Sequence, residues 1–140
     1  MGSQVKEVVE GKGYSVANLD GLGEGYGFRK IRAPLGVTAF GVNAVVLPPG
    51  IESGKHYHDR QEELYFVHQG ELEIVFGDGS SHKLGPGGLA RVAPETVRQL
   101  RNTGDVDTVY VCVGGADGYV GRDGQVPDDE TGQRARPIAT

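Results

Sequence analysis

Between Gly50 and Gly70 the chain carries His56, Tyr57 and His58 and then, after a short polar stretch, Glu62 and Glu63. Side chains two apart on a strand share a face, so His56 and His58 project together while Tyr57 points to the other side. Asp59 to Gln61 turn the chain. A strand starting at Glu63 is then expected to pair beside the first and present its carboxylate to the same pocket. Two imidazoles and one carboxylate form a facial set with open positions opposite, suited to non-haem Fe(II) and compatible with Mn, Zn or Ni. The open positions admit substrate or water. Tyr65 shares the parity of Glu63 and offers either a hydroxyl to the pocket or core filling, whereas Glu62 faces solvent. A bare His-x-His pair is commonly solvated and idle; the added glutamate and the framing glycines weigh against that here.

These side chains need strands to hold them, and the sequence is rich in strand signals. Short β-rich runs at Val37 to Leu47, Glu63 to His68, Glu71 to Phe76, Ser81 to Leu84, Leu89 to Ala93, Arg98 to Asn102 and Val106 to Val113 are separated by Gly, Pro, Asn and Asp. Gln69-Gly70, Gly77-Asp78-Gly79 and Leu84 to Gly88 read as turns. The expectation is an all-β, antiparallel, hairpin-rich sandwich or barrel. Its 140 residues suit one domain. The Gly-rich stretch Gly21 to Gly27 is a loop and not a dinucleotide cradle, because Tyr26 stands where a third glycine would be and no helix follows.

Composition narrows the function classes. With 14 basic and 19 acidic residues and a net charge of −5, there is no basic footprint, and no nucleic-acid partner is expected. No apolar run approaches the roughly 20 residues of a bilayer span, so no membrane partner is expected either. The polar N-terminus lacks a secretory h-region and the single Cys112 cannot form an internal disulfide, so a cytoplasmic location is expected. Cys112, with no basic neighbour in sequence, reads as a small buried hydrophobe, and His68 and His82 read as exposed.

Gly50, His56, His58, Glu63 and Gly70 match the first motif of the cupin superfamily at every spacing, with Glu63 rather than Glu62 meeting the final interval. From Val37 to Val113 the order of strands and turns is similar to a small single-domain cupin. The resemblance implies an all-β cupin jelly-roll barrel over residues 34–113 with a metal or ligand site inside. It leaves an N-terminal segment, 1–33, able to add an edge strand, and a Gly/Asp/Arg-rich C-terminal arm, 114–140, lying on the surface or on a second subunit. A homodimer is expected by the same resemblance.

The second cupin motif departs from pattern. Anchored on Asn102, the chain has Gly87, then Ala93 for the usual proline, Glu95 for the usual glycine, and Arg98 where the third histidine ligand would stand. A one-residue slip would put Gln99 there instead. A guanidinium stays protonated and has no lone pair to give, so Arg98 cannot ligate a metal. Two outcomes follow. In one, His56, His58 and Glu63 hold a divalent metal and Arg98 clamps a substrate anion. In the other, Arg98 pairs with Glu63 and the pocket is metal-free. The corresponding functions are a metal-dependent oxygenase, isomerase or cyclase acting on a small anionic molecule through Arg98 and Tyr65, and a non-catalytic small-ligand binding module. A structural protein with a vestigial site is the third reading.

Overall fold

The computed structural model describes residues 5, 7–130 and 132–139. Among these residues fourteen strands, one short α-helix and a single 3-10 turn follow in order: β1 (Val9–Gly11), β2 (Tyr14–Val16), the 3-10 turn (Leu19–Gly21), β3 (Gly27–Lys30), α1 (Arg32–Leu35), β4 (Gly41–Leu47), β5 (Ile51–Glu52), β6 (Tyr57–His58), β7 (Glu62–Gln69), β8 (Leu72–Phe76), β9 (Ser81–Leu84), β10 (Leu89–Val92), β11 (Arg98–Arg101), β12 (Thr108–Gly115), β13 (Gly124–Gln125) and β14 (Arg136–Pro137). Every strand pair is antiparallel. Two five-stranded sheets, in the orders β10-β7-β12-β4-β3 and β14-β5-β11-β8-β9, make the barrel. Among the described residues no helix is long and apolar enough to cross a membrane.

The period-two pattern read from the sequence governs β7. Glu63, Tyr65 and Val67 are buried, while Glu62, Leu64, Phe66 and His68 alternate with them on the exposed face. The core lies between the two sheets: Leu47, Tyr65, Val67, Val92 and Tyr110 come from one, and Leu72, Ile74 and Leu100 from the other. Removing these side chains from water is the main favourable term holding the sheets together. Two polar positions fix the connections. Asn102 is fully buried, donates to the Leu47 and Val106 carbonyls at 2.8 Å each and accepts from Gly104 N at 2.9 Å. Gly70 turns β7 into β8 at φ 76°, where a Cβ would press on the backbone of Asp107 and Thr108.

Strands from both flanking segments pair with barrel strands. From the N-terminal segment, β3 adds an edge strand beside β4. The C-terminal arm returns along the same chain's barrel: β13 pairs with β6, β14 pairs with β5, and Gly54 N donates to Gln133 O at 3.1 Å. The arm lies so close that Gly54 has no room for a Cβ beside the Gly132 carbonyl. Arg136 clasps it further, reaching Glu130 at 2.6 Å and Glu52 at 3.2 Å.

One expectation needs correction. The strand that begins at Glu62 does not pair beside the His-x-His strand. β6 pairs with β13, while β7 lies between β10 and β12 in a different sheet. Residues 59–61 thus carry the chain from one side of the barrel to the other. Backbone hydrogen bonding is satisfied by strands distant in sequence, so proximity along the chain does not select the partner.

Candidate metal centre

His56 and His58 reach the interior from a stretch running antiparallel to the start of β11. His56 N donates to Arg98 O at 3.0 Å and Arg98 N donates to His56 O at 2.9 Å, while His58 N donates to Pro94 O at 2.7 Å. Glu63 enters from β7 opposite. His56, His58 and Glu63 each offer one ligand atom, and these atoms lie within 4.8 Å of one another. The two rings meet edge to face with centroids 5.3 Å apart.

The histidines differ in charge preference. Burial, and then the neighbouring Arg98 guanidinium, pull His56 down to about 4, so near neutrality it is an uncharged imidazole with a lone pair to give. Burial alone would lower His58 too, but its contacts with Glu63 and Asp123 prevail and raise it above the ordinary value. His58 Nδ1 lies 2.7 Å from Asp123 Oδ1. Its Nε2 lies 3.1 Å from Glu63 Oε1, yet it is buried and lacks a hydrogen bond of proper alignment.

Glu63 is the hub of the site. Tyr65 Oη donates to Oε1 at 2.7 Å, Cys112 Sγ donates to Oε2 at 3.1 Å, and Arg98 Nη2 donates to Oε1 at 3.3 Å. Burial would raise the carboxyl, but the His58 contact, the Tyr65 bond and the remaining donors bring it down to about 2, so it is ionised near neutrality. Its proximity lifts neighbouring acids: burial first, with the Glu63 charge adding to it, pushes the Cys112 thiol and the Tyr65 phenol well up. Both stay protonated as donors. Cys112 is therefore not mere filling, since its thiol touches the carboxylate.

Arg98, not Gln99, stands inside. Its side chain is 0% exposed, with Nη1 donating to Thr96 O at 2.6 Å and Pro94 O at 3.2 Å, and Nε buried without a partner. Gln99 points to the other face and donates to Ser53 O at 2.9 Å. The Arg98–Glu63 pairing weighed from the sequence is present, and both Nη groups have partners. His68 and His82 are exposed.

The donor set suits a cation. An aspartate behind Nδ1 leaves Nε2 to face a carboxylate oxygen at 3.1 Å, and two lone-pair atoms so placed require a positive centre between them: a proton or a metal ion. His56 beside them is kept neutral. These residues fit a divalent ion with three protein ligands. Asp123 has no signal in the sequence, where it sits in the featureless run Gly121-Arg122-Asp123-Gly124. Only the docking of the arm brings it to His58.

Comparison with known proteins agrees with this architecture. A sugar phosphate isomerase of the cupin superfamily from Silicibacter pomeroyi is 25% identical, with a TM-score of 0.62 over 89% of this chain and 76% of that one. A Klebsiella pneumoniae protein with a double-stranded β-helix domain is 25% identical, with a TM-score of 0.57 over 65% of this chain and 76% of that one. The DMSP lyase DddQ from Ruegeria pomeroyi, 22% identical with a TM-score of 0.56 over 63% of this chain, shares the fold, and this chain spans 43% of its length. No curated protein matches the sequence. Residues 43–114, which hold the whole ligand cluster together with Arg98, Tyr65 and Cys112, match the family model described as the cupin domain, and the chain belongs to that family.

Proposed function

We propose that this protein holds a divalent transition metal (Fe, Mn, Zn or Ni) on His56, His58 and Glu63 and takes a small anionic molecule beside it. The reaction would be metal-dependent, of the isomerase, oxygenase or cyclase kind. One observation carries this reading: the buried, unpartnered His58 Nε2 converges on the ionised Glu63 with neutral His56 alongside. A bound ion would polarise a carbonyl or phosphoryl oxygen, or activate water or dioxygen. Tyr65 and Cys112 hold Glu63 through both oxygens and so fix its direction. Arg98 pins the carboxylate from a third side and adds a permanent positive charge. Guanidinium and divalent ion together exceed the single negative charge of Glu63, and a positive pocket in a low-dielectric barrel selects an anion. Arg98 and Tyr65 are therefore the residues proposed to act on the ligand, Arg98 through its charge and Tyr65 through its hydroxyl.

The likeness to a solved structure described as a sugar phosphate isomerase makes phosphorylated sugars the first anions to try, with small carboxylates second. Metal analysis of protein purified without added divalent ions, followed by calorimetric titration with Zn(II), Mn(II) and Fe(II), tests the reading. Uptake near one equivalent is expected. Uptake of less than about a tenth of an equivalent overturns it. The second reading, a metal-free ligand-binding module, is favoured by the Arg98–Glu63 pair at 3.3 Å, which already supplies a counter-charge. A homodimer belongs to the proposal as well. It is supported by Leu64, Phe66 and Leu89 on one outer sheet face, 42%, 39% and 61% exposed.

A further inference from the structure

The arm that follows the barrel delivers Asp123 to the back of His58 in a fixed register. Gly124 pairs with His58, Gln125 pairs with Tyr57, and Asp59 N donates to Asp123 O at 3.2 Å. The carboxylate is then met on every side by donors. Oδ1 faces His58 Nδ1 at 2.7 Å and accepts from Gln61 Nε2 at 2.6 Å; Oδ2 accepts from Arg60 N at 2.8 Å and Gln61 N at 3.0 Å. An ionised carboxylate only accepts, so the atom facing it on His58 carries a hydrogen. That places the lone pair of the neutral ring on Nε2, the nitrogen that faces Glu63.

We propose that Asp123 is the positioning residue of the metal centre: it selects the Nδ1–H tautomer of His58, directs Nε2 inward, and holds the 59–61 turn that sets His58 against Glu63 across the two sheets. The inference rests on the metal-binding reading above and extends it to a residue outside the family-matched segment, 43–114. A carboxylate behind a histidine ligand both orients the ring and raises its basicity, and losing it typically costs 10- to 100-fold in metal affinity. The arm is thus part of the site. The barrel alone leaves His58 free to adopt the tautomer that turns its lone pair away.

Asp123→Asn is the test, with Zn(II) as the probe and a competing chromophoric chelator as the reporter. The amide oxygen still accepts from the backbone of residues 60 and 61, while its NH2 faces His58 Nδ1 and favours the wrong tautomer. Zinc affinity should fall about 10- to 100-fold. Gln125→Ala serves as the structural control. It removes the 2.9 Å bond from Gln125 Nε2 to Asp59 Oδ2 in the same strap, leaves Asp123 in place, and should change zinc affinity by no more than about twofold. On the unmutated, zinc-loaded chain, ring 15N resonances of His58 should report a protonated Nδ1 and a metal-bound Nε2. Zinc on Nδ1, wild-type affinity in Asp123→Asn, or an equal loss in Gln125→Ala overturns the inference while the metal site stands. A wild-type chain that takes up no zinc overturns the metal site, and the inference with it.

Discussion

Replacing Arg98 by histidine separates the charge that stabilises the metal-free barrel from the ligand set that binds metal. Arg98 Nη2 lies 3.3 Å from Glu63 Oε1, with the guanidinium fully buried. At an effective dielectric constant of about 20 the gross attraction is about 5 kcal/mol. Removing one partner of such a pair typically costs about 3–5 kcal/mol, because the other charge is left without compensation. The lower end applies here, since Tyr65 and Cys112 still donate to the carboxylate. For a chain of this size about 1 kcal/mol moves Tm by roughly 3 °C, so metal-free Arg98→His should melt about 9 °C below wild type. Metal binding should move the opposite way. The substitution removes a like charge and adds a neutral imidazole at the place facing His56, and zinc affinity should rise at least about tenfold, or about 1.4 kcal/mol. Zinc at about 100 times its dissociation constant then adds about 2.7 kcal/mol and returns most of the lost Tm. Thermal unfolding of metal-free and zinc-loaded protein, with chelator competition for affinity, gives every quantity needed. A variant with unchanged metal-free Tm and zinc binding no tighter than wild type would refute the reasoning about Arg98.

Glu63→Gln should abolish zinc uptake in calorimetry and lower the metal-free Tm, because it leaves the Arg98 guanidinium buried without its counter-charge. In the metal-free protein His56 titrates near 4 rather than 6.5, so as pH falls below 6.5 the unfolded chain takes up a proton that the folded chain refuses, and stability declines towards about pH 4. His58, raised, works in the other direction: its contribution is present below 6.5 and is lost as pH rises through its folded value. Urea unfolding at about pH 7 and about pH 5 should therefore show His56→Gln losing about 2 kcal/mol less than wild type over that interval, and equal losses would contradict the assignment. Gly70→Ala, at φ 76° and pressed against Asp107 and Thr108, should cost at least about 2 kcal/mol in denaturant unfolding. Light scattering on a chromatography column should show a dimer for wild type and a monomer for Leu89→Lys combined with Phe66→Lys, both of which add charge to the apolar outer face.

Some of this site could be read from spacing alone. Parity along β7 settled that Glu63, Tyr65 and Val67 face inward and that Glu62 and His68 face out, because side-chain direction alternates with every strand residue. Turn positions such as Gly70 and Gly79 were legible because their positive φ excludes most other residues. Strand limits shifted by up to four residues: β4 starts at Gly41 rather than Val37, and β12 starts at Thr108 rather than Val106 and runs on to Gly115. Cys112 packs against the core as expected, but nothing in its own neighbourhood announces the carboxylate that β7 brings to its thiol at 3.1 Å.

The sequence by itself determined the chemistry available: two imidazoles and an acid at strand spacing, with Arg98 or Gln99, and no third histidine, beside them. Strand periodicity and side-chain acid–base character are local properties, fixed before the chain folds. Tertiary structure alone decided that His58 and Glu63 meet from different sheets, that Arg98 spends its charge on Glu63 and two backbone carbonyls, and that Asp123 stands behind His58. Those are contacts between segments up to 65 residues apart. They arise when the barrel closes and the arm pairs with β6, because buried polar groups then find partners wherever the fold presents them.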